Sequence, residues 1–340
     1  MSGRSQWPTW SSTCSARAVT GSPERSSTCP AACTRDAEVA GPLVIDSHAH
    51  AFDTAEDART LVDGYAPAEY GAPPGLIDPP AQPGTVDGLL AAMASAGVSR
   101  AILLHTWLGG LERMVHPGAG EEEHAAKLAA QNRRVCATAG TRPELIAFVG
   151  ADMHRTDSAG FHGELEELKS LGARGVKIHP SIERIAVDDP RVAHIWHACA
   201  DLDLPVVAHG GRTHDSRVHH GEPLRFTGVL QNHPALRTVV AHLGGAEWRT
   251  APALAEACPN VAFDLCEIIQ YAGAPNAPTL ADLGRLIASI GSHRVLFGTD
   301  FPWYGLDDTI ERVMSIPGLA SEEKAAILGR NAEQFLRLTA

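Results

Sequence analysis

The sequence predicts an α/β fold, a (β/α)8 barrel of the TIM type built as a single domain, on three observations. Short apolar runs alternate with helical patterns at a spacing of about 30 to 40 residues, which is typical of repeated βα units and a parallel sheet. Eight such runs can be counted, and several end in histidine or aspartate, residue types that can bind metals. A length of 340 residues is one that such barrels reach as a single domain.

The predicted elements alternate between strand and helix from residue 42 onward. The strands are expected at 43–47, 101–105, 146–150, 175–179, 205–209, 238–242, 261–265 and 294–299. The helices are expected at 84–97, 121–140, 158–172, 190–203, 223–233, 246–258, 279–291, 307–315 and 321–338. The last helix opens with Ser321 followed by two glutamates, which predicts a cap with acidic residues in the first turn.

Two stretches lie outside this regular pattern. Residues 1–40 are rich in Ser, Thr, Pro and Arg without apolar periodicity, so we predict a disordered extension before a barrel domain at 41–340. An organelle transit peptide or an over-extended gene start are alternative origins for that extension. The long, proline-rich insertion from Ala51 to Pro83 falls on the active face and is a candidate lid over the pocket.

Charge and hydropathy limit the expected partners. The formal net charge is -12, and an acidic body repels phosphate backbones, which argues against nucleic acid. No run approaches the roughly 18 apolar residues of a membrane span. We therefore expect a small-molecule substrate, no nucleic acid and no membrane partner, and we leave a homo-oligomer open.

Cysteine usage predicts a cytoplasmic protein. The seven cysteines form no C-x-x-C pair and have no disulfide-scaffold density. Four of them, Cys136, Cys199, Cys258 and Cys266, fall in apolar or helical stretches of the predicted barrel. We expect these four to be reduced core residues.

The most informative motif is the pair His48 and His50 at the end of the first predicted strand. Successive strand residues point to opposite faces, so a His-x-His pair sends both imidazoles to one side and makes half a metal site. Three later strands also end in ligand-type residues, namely His209, His242 and Asp300. Each residue alone could be structural, as a strand cap or a turn residue. Their joint occurrence at strand ends that meet at one mouth favours a functional site.

His48, His50, His209 and Asp300 are the predicted metal ligands. Three imidazoles and one carboxylate suit one divalent ion; zinc is the expected metal, and Mn, Fe or Co would also fit. Such an ion lowers the pKa of a bound water toward neutrality and so creates a nucleophile. Asp300 is the predicted group that takes the water's proton, and His242 is predicted to polarise the substrate or to steady the water.

With these motifs in place, the chain resembles the amidohydrolase superfamily, in the amidohydrolase-related (amidohydrolase 2) branch that includes aminocarboxymuconate-semialdehyde decarboxylase and lactone hydrolases. The resemblance runs from about residue 42 to the end. It implies a metal-dependent barrel enzyme with the four ligands above and His242 as the catalytic histidine. The matching segments are Ile45-Asp46-Ser47-His48-Ala49-His50, Gly175-Val176-Lys177-Ile178-His179-Pro180, the strands ending in His209 and His242, Phe297-Gly298-Thr299-Asp300-Phe301-Pro302 and Ile327-Leu328-Gly329-Arg330-Asn331-Ala332.

Lys177 raises the question of a second metal. Binuclear relatives in this superfamily bridge two metals with a carboxylated lysine on the fourth strand. Here His179 occupies the strand end, which leaves Lys177 two residues, or roughly 6 to 7 Å, deeper in the barrel. We therefore predict one metal, a lysine paired inside the barrel, and a pocket-lining role for His179.

Other predicted substrate-binding residues follow the strand ends. They are His105 after the second strand, Arg212 after the fifth and Trp303 after Asp300. An arginine there could clamp a substrate carboxylate, although a solvated loop arginine is an equal alternative. The tryptophan could form an apolar wall or pack the lid.

The sequence is compatible with three functions, which we rank as follows. The first is hydrolysis of an ester, lactone or amide by metal-activated water. The second is metal-dependent, non-oxidative decarboxylation of an unsaturated or aromatic carboxylic acid, which uses the same ligands. The third is a catalytically silent metal- or ligand-binding barrel, against which stands the full set of reactive residue types.

Overall fold

The structure is a computed structural model that describes residues 43–59, 63, 82–105, 113, 118–211, 220–274 and 277–338. The eight predicted strands are all present, and each pairs in parallel with the next in sequence order. The predicted barrel fold is thus confirmed. Residues 1–40 and most of the candidate lid lie outside the described residues. The strands are β1 Ile45–Ala49, β2 Arg100–Leu104, β3 Leu145–Gly150, β4 Gly175–Ile178, β5 Val206–Ala208, β6 Thr238–Val240, β7 Val261–Asp264 and β8 Val295–Leu296.

The barrel is nearly closed by hydrogen bonds between β1 and the run that follows β8. The backbone N–H of Asp300 donates to the carbonyl of His48 at 2.8 Å, and the N–H of His50 donates to the carbonyl of Phe301 at 2.8 Å. Residues from opposite ends of the sequence are therefore neighbours at the C-terminal rim of the strands.

Helices occupy the connections between strands, as the sequence predicts. Within the described ranges the α-helices are α1 Val86–Ala96, α2 Glu121–Gly140, α3 Ser158–Ser170, α4 Pro180–Glu183, α5 Ala193–Asp201, α6 Phe226–Asn232, α7 Ala251–Ala257, α8 Leu280–Ile290, α9 Leu306–Met314, α10 Ser321–Ala325 and α11 Asn331–Phe335. No helix in this part of the chain is long and apolar enough to cross a membrane.

The sequence predicts one helix at 321–338, but the structure divides this segment into two α-helices. A π-helical turn, Ala326–Arg330, separates α10 from α11. This turn brings Gly329 against the backbone of Leu43, where an added Cβ would lie 2.1 Å from the carbonyl oxygen. The predicted cap is also shifted by one residue, because Ser321 is already helical and the Glu323 carboxylate accepts from the N–H of Ala320 at 2.9 Å.

Apolar side chains fill the barrel interior below the C-terminal rim of the strands. They come from most of the strands and from the C-terminal segment, which contributes Ala332, Leu336 and Leu338. Inward-pointing side chains of such barrels form a packed core rather than a pore. The strand residues of this interior cluster are Ile45, Ile102, Leu104, Ile146, Phe148, Val207, Val239, Ala262 and Leu296.

One buried amide holds α2 against the end of β3, and it gives a stability prediction. The Asn132 side chain donates to the carbonyl of Gly150 at 2.9 Å and accepts from its N–H at 2.8 Å. Asn132→Ala leaves both backbone groups unpaired, so we expect a loss of about 1–3 kcal/mol in the free energy of unfolding, measured by urea denaturation. The exposed control Glu122→Ala should change it by less than about 0.5 kcal/mol. Equal effects of the two variants would contradict this role.

Candidate metal centre

An irregularity in β1 turns His48 and His50 into the barrel mouth. The register of β1 against β2 shifts between Asp46 and Ala49. Ile45 belongs to the barrel interior whereas Ala49 packs in the outer core, so the alternation of sides changes across this stretch. Irregularities of this kind re-aim side chains. Both imidazoles are buried, and their ring centroids lie 5.0 Å apart.

One nitrogen of each imidazole is held by a neighbouring strand. His50 Nδ1 lies 3.1 Å from the carbonyl oxygen of Leu104, and His48 Nδ1 lies 2.8 Å from Asp264 Oδ2. Both partners accept hydrogen bonds, so this network assigns a proton to Nδ1 of each ring and leaves Nε2 as the nitrogen that can bind a metal. Metal-binding histidines are commonly oriented in this way.

Asp300 brings a carboxylate to these two Nε2 atoms. It follows β8 with a φ of 58°, in the left-handed region. Its Oδ1 lies 3.0 Å from His50 Nε2 and 3.7 Å from His48 Nε2, and its side chain is 16% exposed. The three ligand atoms lie within 4.8 Å of one another. Two imidazole nitrogens and one carboxylate form a donor set that fits a divalent cation.

Two further carboxylates, both fully buried, fix the backbone of this cluster. Asp264 accepts from the N–H of His242 at 2.7 Å as well as contacting His48. Asp46 accepts from the N–H groups of His48 and Thr299, each at 3.0 Å, and from the Thr299 hydroxyl at 2.5 Å. Both aspartates thus join β1 to other parts of the rim.

His209 joins the cluster through His242. His242 Nδ1 lies 3.0 Å from the carbonyl oxygen of Cys266, and its Nε2 lies 3.1 Å from His209 Nδ1. The carbonyl can only accept, so His242 carries its proton on Nδ1 and accepts at Nε2 from His209. His209 then keeps a lone pair at its own Nε2. This tautomer suits the ligand role predicted for His209.

His179 has the opposite tautomer. Its ring stacks on His209 with centroids 3.9 Å apart and planes at 14°. The N–H of Ile182 donates to His179 Nδ1 at 3.3 Å, which assigns the proton to Nε2. His179 therefore presents a donor rather than a lone pair, as expected of a pocket residue rather than a ligand.

Lys177 reaches the ligand cluster from below. It lies on β4, is 1% exposed, and its Nζ is 3.2 Å from His48 Nε2. The sequence predicts a lysine paired deep in the barrel, and its long side chain brings the amine up to the ligand nitrogen. This contact fits a lysine that accompanies one metal as well as one that bridges two, so the single metal stays a prediction.

The surroundings favour the neutral forms of four buried imidazoles, those of His48, His179, His209 and His242, and the anionic form of Asp300. Burial lowers the pKa values of His48, His179 and His209 well below the usual range, and the charge on Lys177 adds to this for His48. Burial also lowers the pKa of His242. For Asp300, burial opposes ionisation, but the neighbouring imidazoles, His50 foremost, outweigh it and lower the pKa of the carboxyl.

The sequence profile of the amidohydrolase family matches residues 45–338. The chain belongs to the amidohydrolase family. The match spans all eight strands and every predicted ligand of this amidohydrolase, so it confirms the resemblance inferred from the motifs.

A curated relative of this amidohydrolase is the 2-amino-3-carboxymuconate-6-semialdehyde decarboxylase of Dictyostelium discoideum. The two are 24% identical over 249 residues, which make up 64% of this chain and 65% of the relative. The chain thus matches slightly less than two thirds of that relative's length.

Solved structures with the same fold include three decarboxylases. The 5-carboxyvanillate decarboxylase of Sphingomonas paucimobilis has a TM-score of 0.65 at 19% identity, covering 87% of this amidohydrolase and 99% of that chain. The enzyme of the same name from Novosphingobium aromaticivorans, complexed with manganese and 4-hydroxy-3-methoxy-5-nitrobenzoic acid, scores 0.63 at 16% identity, covering 88% and 97%. The 2,6-dihydroxybenzoate decarboxylase from Rhizobium scores 0.60 at 18% identity, covering 88% and 99%. These likenesses establish the shared fold.

The sequence predicts three substrate-binding residues in addition to His179, and only one of them lies at the barrel mouth among the described residues. The Trp303 ring lies 6.1 Å from that of His50, at the mouth of the amidohydrolase barrel. His105 is buried, but it lines a small cavity with Val86, Leu103 and Val135, between the barrel wall and the helices rather than at the mouth. Successive strand residues point to opposite sides, and Leu104 points into the barrel. His105 therefore points outward. Arg212 lies outside the described residues.

Sequence reasoning missed Asp264 as a site residue of this amidohydrolase. It ends β7 just as the other polar residues end their strands, and that signal could have identified it. The thiol of Cys266 was assigned to the core, although it lies at the same rim. The buried position and reduced state expected for the four barrel cysteines are both present.

The perturbed pKa values predict that the metal-free protein loses stability below pH 6.5. Four buried histidines with lowered pKa values stay neutral when folded but take up protons when unfolded, so their stabilisation is present above pH 6.5 and lost below it. Burial raises the pKa of Asp46 to about 7 and that of Asp264 to about 6, which acts in the opposite direction.

Four histidines outnumber two carboxyls, so the unfolded chain binds more protons near pH 5.5. We expect the free energy of unfolding in EDTA to fall by on the order of 2 kcal/mol per pH unit between pH 6.5 and 5.5, measured by urea denaturation. His179→Gln should reduce this slope. A slope of zero, or stability that rises as the pH falls, would show that the buried imidazoles do not stay neutral.

Proposed function

We propose that this protein is a metal-dependent, non-oxidative decarboxylase of an unsaturated or aromatic carboxylic acid. The observation that supports metal dependence is the convergence of His48, His50 and Asp300 at the mouth of the barrel, and the relatives support the reaction type. The chain belongs to the amidohydrolase family, and the relatives named above are decarboxylases. The sequence alone favoured hydrolysis and placed decarboxylation second; these relatives support the second function over the first.

One divalent ion is the proposed cofactor. His48 and His50 would hold it through Nε2 and Asp300 through its carboxylate, and the tautomer of His209 supports a fourth ligand at its Nε2. When bound, the ion supplies positive charge that holds an anionic substrate and stabilises negative charge that develops during the reaction. Zinc suits the nitrogen-rich set, and manganese is the metal in one related structure.

The donors around the centre favour a carboxylate as the substrate's reacting group. His179 presents an N–H, and Lys177 presents an amine that is almost completely buried. Donors aimed into a site with little solvent bind anions strongly. A neutral ester or lactone carbonyl requires fewer such donors than a carboxylate does. We therefore assign His179 to orienting the substrate carboxylate.

Asp300 is the proposed proton donor. The bond between the substrate carbon and its carboxylate breaks, the electron pair stays on that carbon, and carbon dioxide leaves. Asp300, having taken a proton from the substrate or solvent, transfers it to this carbon and regains its charge. Asp300 is the partly exposed carboxylate that lies within 3.7 Å of His48 Nε2 and His50 Nε2, whereas Asp46 and Asp264 are completely buried. His242 holds His209 in place through its Nε2.

A substrate panel tests the reaction type. The metal-loaded protein is incubated with hydroxylated aromatic acids, unsaturated dicarboxylic acids, esters, lactones and amides, and both carbon dioxide and hydrolysis products are measured. We expect carbon dioxide from at least one acid and loss of that activity after chelation. Ester or lactone hydrolysis without carbon dioxide would replace the proposal with the hydrolase. Metal binding without turnover of any class would favour the silent barrel.

A cytoplasmic location is part of the same proposal. The four described cysteines are free thiols, which is consistent with a reducing compartment. The substrate is expected to be a small molecule because the proposed ligands and donors converge inside a barrel mouth.

A further inference from the structure

A second group of ligand atoms lies beside the first and shares one residue with it. His48, His242 and Cys266 each place one ligand atom within 4.8 Å of the other two. All three side chains are buried, and Cys266 is completely so. The first group offers two nitrogens and an oxygen, whereas this one offers two nitrogens and a sulfur. The two groups therefore differ in the metals they prefer.

The position of Cys266 is fixed by its own backbone. Its carbonyl accepts from His242 Nδ1 at 3.0 Å and from the N–H of Ile268 at 2.6 Å. The side chain also packs close to β1, because a Cβ added at Gly298 would lie 2.8 Å from the His48 Cβ and 3.1 Å from the Cys266 Cβ. Gly298 thus leaves the space that lets the thiol and the imidazole approach one another.

We propose that His48, His242 and Cys266 form a soft-metal site that competes with the centre formed by His48, His50 and Asp300. Thiolate sulfur favours soft or borderline cations, and carboxylate oxygen favours harder cations such as Mn²⁺. A cation with zinc-like bond lengths needs ligand atoms about 3.3 to 3.8 Å apart, so the side chains would close in by up to about 1 Å. Cadmium is the sharpest probe of this site, since it is divalent and binds thiolates.

A metal that binds at the thiol site replaces the proton on the Cys266 sulfur. The S–H bond of Cys266 breaks, a bond between sulfur and the metal forms, and the proton passes to solvent. His242 contributes Nε2 and gives up its contact with His209, while its Nδ1 stays on the Cys266 carbonyl. His48 Nδ1 is held by Asp264, which leaves Nε2 as the nitrogen for either group. One lone pair binds one ion, so a cation at the thiol site expels one held with His50 and Asp300. The inference concerns metal binding and does not depend on which reaction the protein catalyses.

The test is a cadmium titration of the full chain loaded with one equivalent of Mn²⁺. Thiolate-to-cadmium charge transfer is followed by ultraviolet absorbance, and free Mn²⁺ is followed by electron paramagnetic resonance. Residues 1–40 hold three further cysteines, so the experiment is done in a background with Cys14, Cys29 and Cys33 changed to serine. Cys266→Ser is the test variant. Cys258→Ser is the matched control, since it removes another buried free thiol.

We expect about one equivalent of cadmium to produce the charge-transfer band and to release about one equivalent of Mn²⁺, in the background protein and in Cys258→Ser. Cys266→Ser should lose at least nine tenths of the band. A band that persists in Cys266→Ser, or its absence from the background protein, would overturn the site. A full band without release of Mn²⁺ would overturn the competition for His48.

Discussion

Asp300→Asn should reduce carbon dioxide release on a responding substrate by on the order of 1000-fold. The amide cannot carry and return the proton, and it is a weaker ligand beside His48 and His50, whose Nε2 atoms lie 3.7 and 3.0 Å from the native carboxylate. The change keeps the size of the side chain. The substituted protein is therefore expected to fold, which circular dichroism and urea denaturation would verify.

The matched control is Asp308→Asn. Asp308 lies on the exposed face of α9 and pairs with Arg312 at 2.7 Å, a surface contact worth about 0.3 to 0.5 kcal/mol. Its substitution should leave activity within about twofold of the wild type, because nothing in the mechanism depends on it. Comparable activity in Asp300→Asn and Asp308→Asn would remove Asp300 from the reaction.

Asp264→Asn should weaken metal affinity by about 10- to 100-fold. The native carboxylate accepts from His48 Nδ1 and from the N–H of His242, and so holds the ligand lone pair of His48 at Nε2. An asparagine can accept from one of these groups, but its NH2 would then face the other donor. His48 would be released to turn or to change tautomer. Competition with a chromophoric chelator measures the affinity.

Asp264→Ala separates this positioning role from a general structural one. It leaves two buried donors unpaired, so we expect a loss of about 2 to 4 kcal/mol in the free energy of unfolding in addition to the weaker metal binding. Asp264→Asn should lose much less stability while still losing affinity. If affinity fell only in the variant that is also destabilised, Asp264 would be a structural residue rather than one that orients the ligand.

The fold could be predicted from the sequence because its signal is repeated. Eight apolar runs with helices between them admit few arrangements, and the strand ends then determine where polar side chains meet. The π turn at Ala326–Arg330 could not be predicted in this way. It arises from the close approach of Gly329 to Leu43, a contact between distant parts of the chain that leaves no local pattern.

The site could be predicted only in part, for a related reason. His48, His50 and Asp300 lie at strand ends and do converge, whereas His105 follows its strand by one residue and points to the helix layer. Alternation along a strand determines the side, but a single-residue error in a strand boundary reverses it. The irregularity in β1 is such a reversal, and only the register of β1 against β2 reveals it.

The reaction itself is the part that the residue types leave open. Hydrolysis and decarboxylation use the same imidazoles and carboxylate, so the ligands cannot separate them. The donors of His179 and Lys177, which favour an anionic reacting group, depend on tautomer and reach rather than on residue identity. Both properties emerge only when the side chains are placed.

The most direct test of a single metal centre that decarboxylates is an activity titration of the metal-free protein. Zinc or manganese is added stepwise, and the rate of carbon dioxide release from a responding acid is recorded against metal equivalents per chain. We predict no release without metal, a linear rise, and a plateau at one equivalent. A plateau at two equivalents, or carbon dioxide release that survives complete removal of metal, would contradict the account.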